Sequence, residues 1–157
     1  MNVTIRAAES NDLPKVVRLL AADAITGKRE LFSDPLLPSY YQAFEEISAD
    51  KNNELIVAEL DGAIVGTLQL TFIPNITQRG GKRALVEAVF VDAQCRGQGI
   101  GKMLMEWAIE RAQQMDCRMI QLTTNKARPD AQRFYQSLGF VNSHEGMKRK
   151  LQSDDEA

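Results

Sequence analysis

A strand that leads through a glycine-rich loop into an amphipathic helix constrains this chain more than any other feature. The segment is Val86–Lys102, VEAVFVDAQCRGQGIGK, and its glycines stand at alternate positions, where the missing side chains leave backbone N–H groups free to surround a ligand. The first-turn N–H groups of the helix and its dipole favour an anion at the same place. Because Arg96 and Lys102 add positive charge, the loop predicts a phosphate or pyrophosphate site.

Other glycine-rich loops provide alternative interpretations of this segment. A turn that only reverses the chain is one of them, since glycine patterns alone are weak signals. A P-loop does not fit, because no Ser or Thr follows Lys102. A dinucleotide-binding loop requires an acidic residue at the end of the next strand, whereas Asp116 comes before that strand.

Hydrophobic patterns along the rest of the chain predict a succession of strands and helices. The predicted strands are Val3–Ala7, Glu54–Leu60, Ala63–Ile73, Arg83–Val91, Arg118–Thr123 and about Val141–Leu151. The predicted helices are Leu13–Ala24, Ser39–Ala49, Ile100–Met115 and about Pro129–Leu138. Asp61-Gly62 predicts a hairpin turn, and Ile25–Pro38 is expected to be irregular. The order predicts an α/β fold with a mixed sheet and helices on both faces.

Composition narrows the class of protein. The 157 residues suit one domain, and a net charge of −2 argues against a nucleic-acid partner. No apolar run approaches the roughly 18–20 residues of a membrane span, and the N-terminal residues do not resemble a signal peptide. Cys95 and Cys117 are expected to be reduced thiols of a cytoplasmic protein. With His144 as the single histidine, no metal site is expected.

Two segments of the chain resemble motifs of the GCN5-related N-acetyltransferase (GNAT) superfamily. Arg96-x-x-Gly99-x-Gly101 is similar to motif A, and Asn125–Phe140, NKARPDAQRFYQSLGF, is similar to motif B. The predicted order of elements also matches that family over about residues 3–151. The resemblance implies a single GNAT acetyltransferase domain over residues 1–151, followed by a polar tail over residues 152–157.

The resemblance also implies an activity and a set of binding residues. The chain is expected to transfer the acetyl group of acetyl-CoA to a primary amine of a small molecule or peptide, and a homodimer is compatible with this. A non-catalytic module that binds acyl-CoA is the alternative. The residues implied to bind acetyl-CoA are Val89, Phe90, Val91, Arg96, Gly97, Gln98, Gly99, Ile100, Gly101, Lys102 and Asn125.

Tyr135 and Glu87 are the candidate acid and base. Tyr135 occupies the position of a tyrosine that protonates the CoA sulfur in the family, although its helical spacing with Ala131 and Leu138 also suits a core residue. Glu87 interrupts an apolar strand and resembles the glutamate of a subgroup that includes glucosamine-6-phosphate N-acetyltransferase. Its alternatives are a salt bridge with Arg83 or Lys82, or exposure on an open sheet face.

The acceptor is expected to enter between three segments, Ile25–Tyr41, Phe72–Gly81 and the last predicted strand. The charges near these segments do not identify it. Basic side chains there indicate an anionic group on the acceptor, and they are Arg29, Arg79 and Lys82. Acidic side chains indicate a cationic group, and they are Glu30, Asp34, Glu45 and Glu46.

Overall fold

The computed structural model describes residues 1–153 of the chain. The chain divides into two compact units, Met1–Leu122 and Thr123–Ala157. One domain over residues 1–151 stays a prediction. Of the tail predicted at residues 152–157, positions 154–157 lie outside the described residues.

Over the described residues, the first unit contains a sheet of five strands in the order β1-β2-β3-β4-β5. The strands are β1 Val3–Ala7, β2 Asn53–Leu60, β3 Ala63–Ile73, β4 Lys82–Val91 and β5 Cys117–Leu122. Neighbouring strands are antiparallel except β4 and β5, which are parallel. The predicted mixed sheet is therefore confirmed.

Helices connect these strands, and all but one short turn lie close to the predicted positions. They are α1 Leu13–Ala21, α2 Pro38–Ala49, the short turn α3 Thr77–Gly80 and α4 Ile100–Gln114. Helix α1 ends three residues before the predicted Ala24. The predicted irregular segment contains only a 3₁₀ turn, Gly27–Arg29.

Both faces of the sheet are covered by helices, as predicted. Val57 of β2 packs in a buried cluster with Val16 of α1. The next residue, Ala58, points to the opposite face because side chains alternate along a strand. On that face Gly66 lets α4 approach closely, since a Cβ there would lie 3.0 Å from Leu104 Cδ1 and 3.4 Å from Ala58 Cβ.

The second unit contains helix α5, Pro129–Ser137, which agrees with the predicted helix. The strand predicted at about Val141–Leu151 is wrong, because the structure has no strand over these residues. A strand requires a paired neighbour and an apolar face to bury. The apolar residues of this segment remain exposed instead, at 81% for Val141, 95% for Met147 and 91% for Leu151.

Candidate functional site

Strand β4 and the edge strand β5 separate where the sequence predicts the site. Pairing between β4 and β5 ends at Val86 and Leu122. Strand β4 nevertheless continues to Val91. Its second half, Glu87–Val91, is therefore paired with β3 and has no β5 partner. The backbone N–H and C=O groups of this half that face β5 are available for a ligand.

A β-bulge reshapes the same half of β4. Gln69 pairs with Glu87 and Thr67 pairs with Phe90, so three steps along β4 oppose two steps along β3. Ala88 is the residue in the left-handed region, with φ of 53°. A bulge bends its strand and redirects the neighbouring side chains. Glu87 and Ala88 are both exposed as a result, although the strand around them is largely buried.

The side chain of Glu87 is exposed on the sheet face. Neither basic residue considered as its partner forms a salt bridge with it within the described residues. Lys82 Nζ donates to the Met115 carbonyl at 3.2 Å, and Arg83 Nη1 donates to Gln121 Oε1 at 3.3 Å. Of the two alternatives to a base role, exposure on an open face is the one that the structure shows.

The chain after β4 is fixed by local hydrogen bonds. Asp92 accepts a hydrogen bond from the Gln94 N–H and caps a 3₁₀ turn over Ala93–Cys95. Arg96 Nε donates to the Val91 carbonyl at 3.2 Å. Its guanidinium carbon also lies 5.3 Å from the centre of the Phe90 ring. These contacts hold an exposed positive charge where the loop begins.

The glycine loop opens to solvent where an anion is predicted. Gly97 and Gly99 have φ of 78° and 82°, and no heavy atom lies within 4 Å of the position that a Cβ would occupy on either residue. Gly99 is the N-cap of α4, and the Met103 N–H donates to its carbonyl at 3.0 Å. The three helical N–H groups before Met103 have no carbonyl four residues back within the helix. The loop therefore fits a phosphate group.

Not every residue predicted to bind acetyl-CoA has a free side chain. Ile100 is 1% exposed and Phe90 is 6% exposed, so both side chains belong to the core and only their backbone groups can bind. Lys102 is exposed and pairs with Glu106 at 3.7 Å. Such an exposed pair on a helix surface is weak and leaves the ammonium accessible.

Tyr135 and Asn125 lie in the second unit. Asn125 Oδ1 accepts from the Ala127 N–H at 2.9 Å, which holds its side chain against the backbone. The ring of Tyr135 is half-buried, with ring centres 5.2 Å from Phe134 and 6.0 Å from Phe140. Burial raises the pKa of the Tyr135 hydroxyl above its ordinary value, and the positive charge of Arg128 partly offsets this.

Comparison with known proteins identifies the family of this chain. The family described as "Acetyltransferase (GNAT) family" matches residues 21–140. This chain belongs to the GNAT family. The matched residues include β4, the glycine loop, α4, β5 and α5.

Three similar proteins illustrate the likeness. Aminoalkylphosphonate N-acetyltransferase of Salmonella typhimurium is 34% identical over 108 residues, which is 66% of this chain and 70% of that protein. A crystal structure described as a transcriptional regulator from Bacillus halodurans C-125 is 53% identical, with a TM-score of 0.94, and covers 96% of this chain and 100% of its own. The crystal structure of glucosamine-6-phosphate N-acetyltransferase from Arabidopsis thaliana is 25% identical, with a TM-score of 0.79. The match covers 97% of this chain and 100% of that chain.

Several other features bear on the sequence predictions. Cys95 and Cys117 are free thiols, as predicted. No group of three His, Cys, Asp or Glu side chains within residues 1–153 is arranged to hold a metal ion. None of the helices in that range combines the length and apolar character of a membrane span.

Proposed function

We propose that this GNAT protein transfers the acetyl group of acetyl-CoA to the primary amine of a small acceptor that carries a phosphate or phosphonate. The observation that supports this most strongly is the second half of β4. It lacks a β5 partner, exposes Glu87, and continues into a loop suited to phosphate. An acyl donor with a phosphate-bearing arm and an amine acceptor thus have adjacent places in one unit.

Acetyl-CoA supplies the acetyl group as a thioester when it is bound. Backbone groups of Val89, Phe90 and Val91 would hold its arm, and Arg96 to Lys102 would hold its pyrophosphate. The supporting observations are the unpaired backbone of β4 and the open space at Gly97 and Gly99. Asn125 is assigned to the same role through its position in motif B.

Glu87 is proposed to accept the proton of the acceptor amine. An amine with a pKa near 10.4 is neutral in only about one molecule in 2,500 at pH 7, so proton removal limits the attack. An exposed carboxylate without an ion-pair partner among the described residues remains free to take this proton. One N–H proton of the ammonium passes to Glu87, and the nitrogen lone pair attacks the thioester carbonyl. The C–S bond then breaks to release the thiolate, and the nitrogen loses its second proton to solvent as the amide forms.

Tyr135 is proposed to protonate the departing thiolate of CoA. Its raised pKa keeps the phenol protonated at neutral pH, as a general acid requires. The thiol has a reference pKa of about 8.5, so a proton donor assists its departure at pH 7. The O–H bond of the phenol breaks, an S–H bond forms, and the phenolate regains its proton from water.

The names of two relatives support the acceptor class. Aminoalkylphosphonates and glucosamine 6-phosphate both combine an amine with a phosphorus-containing anion. In this chain Arg83 lies on the same face of β4 as Glu87, because alternate residues of a strand share a face. Its guanidinium, held by Gln121, is the cation that we assign to the anionic group. Lys82, by contrast, is engaged by the Met115 carbonyl.

Thiol release from acetyl-CoA across a panel of amines tests the proposal. The panel pairs aminoalkylphosphonates and glucosamine 6-phosphate with the same amines lacking phosphorus, and adds polyamines, amino acids, aminoglycosides and peptides. We expect turnover with the phosphorus-containing amines and a much higher KM for their neutral counterparts. Equal use of both sets would refute the acceptor class, and no turnover with any amine would refute the activity.

Substitution of Tyr135 by Phe tests the acid role. The ring and its contacts with Phe134 and Phe140 are retained, so stability should change little. Loss of the proton donor should lower kcat by about 10²–10⁴-fold, with the KM for acetyl-CoA nearly unchanged. Single-turnover rates and melting temperature, measured on one preparation, separate this outcome from that of a core residue.

A second candidate function has one observation in its favour. The structure that is 53% identical is described as a transcriptional regulator, so a non-catalytic acyl-CoA-binding module is a defined alternative. The acetyltransferase names of the sequence relatives favour catalysis. Acetyl-CoA binding without thiol release in the full amine panel would favour the module.

A further inference from the structure

The face of the sheet that carries Glu87 also carries an ordered set of polar side chains. Gln69 of β3 is the residue directly opposite Glu87 in the strand register. Side chains of opposed residues share one face, with Cβ atoms about 4.5–5.5 Å apart. Thr71 and Asn53 are opposed in the same way on β3 and β2. The exposed carboxylate therefore has a half-buried amide beside it.

A chain of hydrogen bonds fixes the orientation of that amide. Asn53 Nδ2 donates to Asp50 Oδ2 at 2.7 Å, at the C-terminal end of α2. This leaves Asn53 Oδ1 as the acceptor, and it receives Thr71 Oγ1 at 2.9 Å and Gln69 Nε2 at 3.4 Å. Hydrogen bonds from Asn52 N–H and Asn53 lower the pKa of Asp50, so Asp50 only accepts at neutral pH.

The direction of donation leaves Gln69 with one free acceptor. Its Nε2 is committed to Asn53, so Gln69 Oε1 is the atom that remains for a ligand. Beside it, the Glu87 carboxylate makes no ion pair or hydrogen bond with residues 1–153. An amide oxygen and a carboxylate at adjacent positions match the donors of an ammonium group, which has three N–H bonds and no acceptor.

We propose that Gln69 binds the acceptor amine: its Oε1 and the Glu87 carboxylate each accept one N–H of the substrate ammonium. This rests on the proposed function, in which Glu87 takes the proton. When that proton moves to Glu87, the bond to Gln69 remains and holds the neutral nitrogen in place. Asn53 and Asp50 are positioning residues that prevent the Gln69 amide from turning its N–H₂ group towards the substrate.

Replacement of Gln69 by Leu removes the acceptor and keeps a side chain of similar size. Hydrogen bonds to charged groups contribute more than neutral ones, so the KM for the amine should rise by about 10- to 100-fold. Binding of acetyl-CoA, measured as its thermal shift, should not change. Gln113→Leu, on the exposed surface of α4, is the matched control and should leave both quantities unchanged.

Replacement of Gln69 by Glu tests the proximity to Glu87 in a different way. Two neighbouring carboxylates raise the pKa of one of them, so the acidic limb of the pH–rate profile should move to higher pH. This variant also covers the case in which Gln69→Leu does not fold. An unmoved limb together with an unchanged amine KM in either folded variant would overturn the inference.

Asn53→Leu tests the positioning role. With its partner removed, the Gln69 amide is free to rotate, so the amine KM should rise, but by less than in Gln69→Leu. The double variant should be no worse than Gln69→Leu alone, because Asn53 acts through Gln69. Additive effects would show that Asn53 acts independently. If the wild type transfers acetyl groups and these variants match it, only this inference fails; an inactive wild type overturns the proposed function as well.

Discussion

The two halves of β4 differ in what they are paired with. The first half, Lys82–Val86, pairs with β3 on one side and β5 on the other. It carries Ala84 and Val86, which are 0% and 2% exposed. The second half pairs with β3 only, bulges at Ala88 and exposes Glu87. One strand thus builds core in its first half and offers a ligand-binding surface in its second.

The difference shows how a rigid site forms within a sheet where an edge strand ends early. The first half fixes the position and direction of the strand through two ladders and a buried face. The second half continues the same strand, so its position is fixed as well, while its backbone groups on the β5 side remain available to bind a ligand. Sites on rigid elements hold their geometry better than sites on loops. We therefore expect substitutions of the buried residues in the first half to change stability and those in the second half to change function.

The largest expected effect is in the second half, at Glu87. Glu87→Gln should lower turnover at pH 7 by about 10²–10⁴-fold, since the amide does not accept the amine proton. The acidic limb of the pH–rate profile should weaken with it. Melting temperature should be unchanged because the side chain is exposed, and Glu110→Gln on α4 provides the exposed control. A normal profile in the folded variant would remove Glu87 from the base role.

The loop that continues the second half gives the next effect. Wild-type protein should gain about 2.7 kcal/mol of stability at acetyl-CoA a hundredfold above its Kd. Gly99→Val should abolish that gain by placing a side chain in the phosphate site. Gly62→Val is the matched control, because Gly62 also has positive φ and open space around its Cβ position but lies in the β2–β3 turn. Both variants lose intrinsic stability, and only the control should keep the ligand-induced shift.

Substitution of a buried residue in the first half should lower stability and leave the kinetic constants unchanged. Val86→Ala removes two buried methyl groups and leaves a cavity, so unfolding free energy should fall by roughly 2 kcal/mol. Val89→Ala in the second half should lower the unfolding free energy by less, because Val89 is only half-buried. Urea unfolding measures both values. Kinetic constants of the Val86 variant should match wild type below its melting transition, and a large loss of turnover there would contradict the division of roles.

The smallest expected effect is the change in stability when an alanine is replaced by glycine in each half of β4. Ala88→Gly should raise stability by roughly 0.5–1 kcal/mol, because glycine relieves the left-handed strain at a φ of 53°. Ala84→Gly should lower it by about 1 kcal/mol, because a regular buried strand loses a methyl group and gains chain entropy in the unfolded state. The sign of the change, read from thermal unfolding, distinguishes the halves. Equal signs would show that the bulge carries no strain.

Local signals explain how much of the fold was predictable. Asp61-Gly62 fixes the β2–β3 turn, and β3 runs over Ala63–Ile73 as predicted. Helix α4 also begins at Ile100 as expected, since a glycine N-cap precedes a clear apolar stripe. The prediction of a strand near Val141 was wrong because the hydrophobic pattern of a segment does not show whether a neighbouring strand is available to pair with it.

The details of the site were less accessible from the sequence. Alanine is not a turn residue, so nothing marks Ala88 as the bulge. The pairing of Gln69 with Glu87, and the bonds that orient Gln69 through Asn53, depend on strand register across a hairpin. A single sequence read by pattern identifies a strand and its faces, and it does not specify which side chains become neighbours.

The bulge at Ala88 has a consequence for solubility. A flat strand edge with unpaired N–H and C=O groups is a template on which another chain can add a strand and begin aggregation. The second half of β4 presents such groups towards β5, yet it is five residues long and bent by an inserted residue. An incoming strand cannot keep register across that bend, so we expect the irregularity to oppose strand addition at this edge.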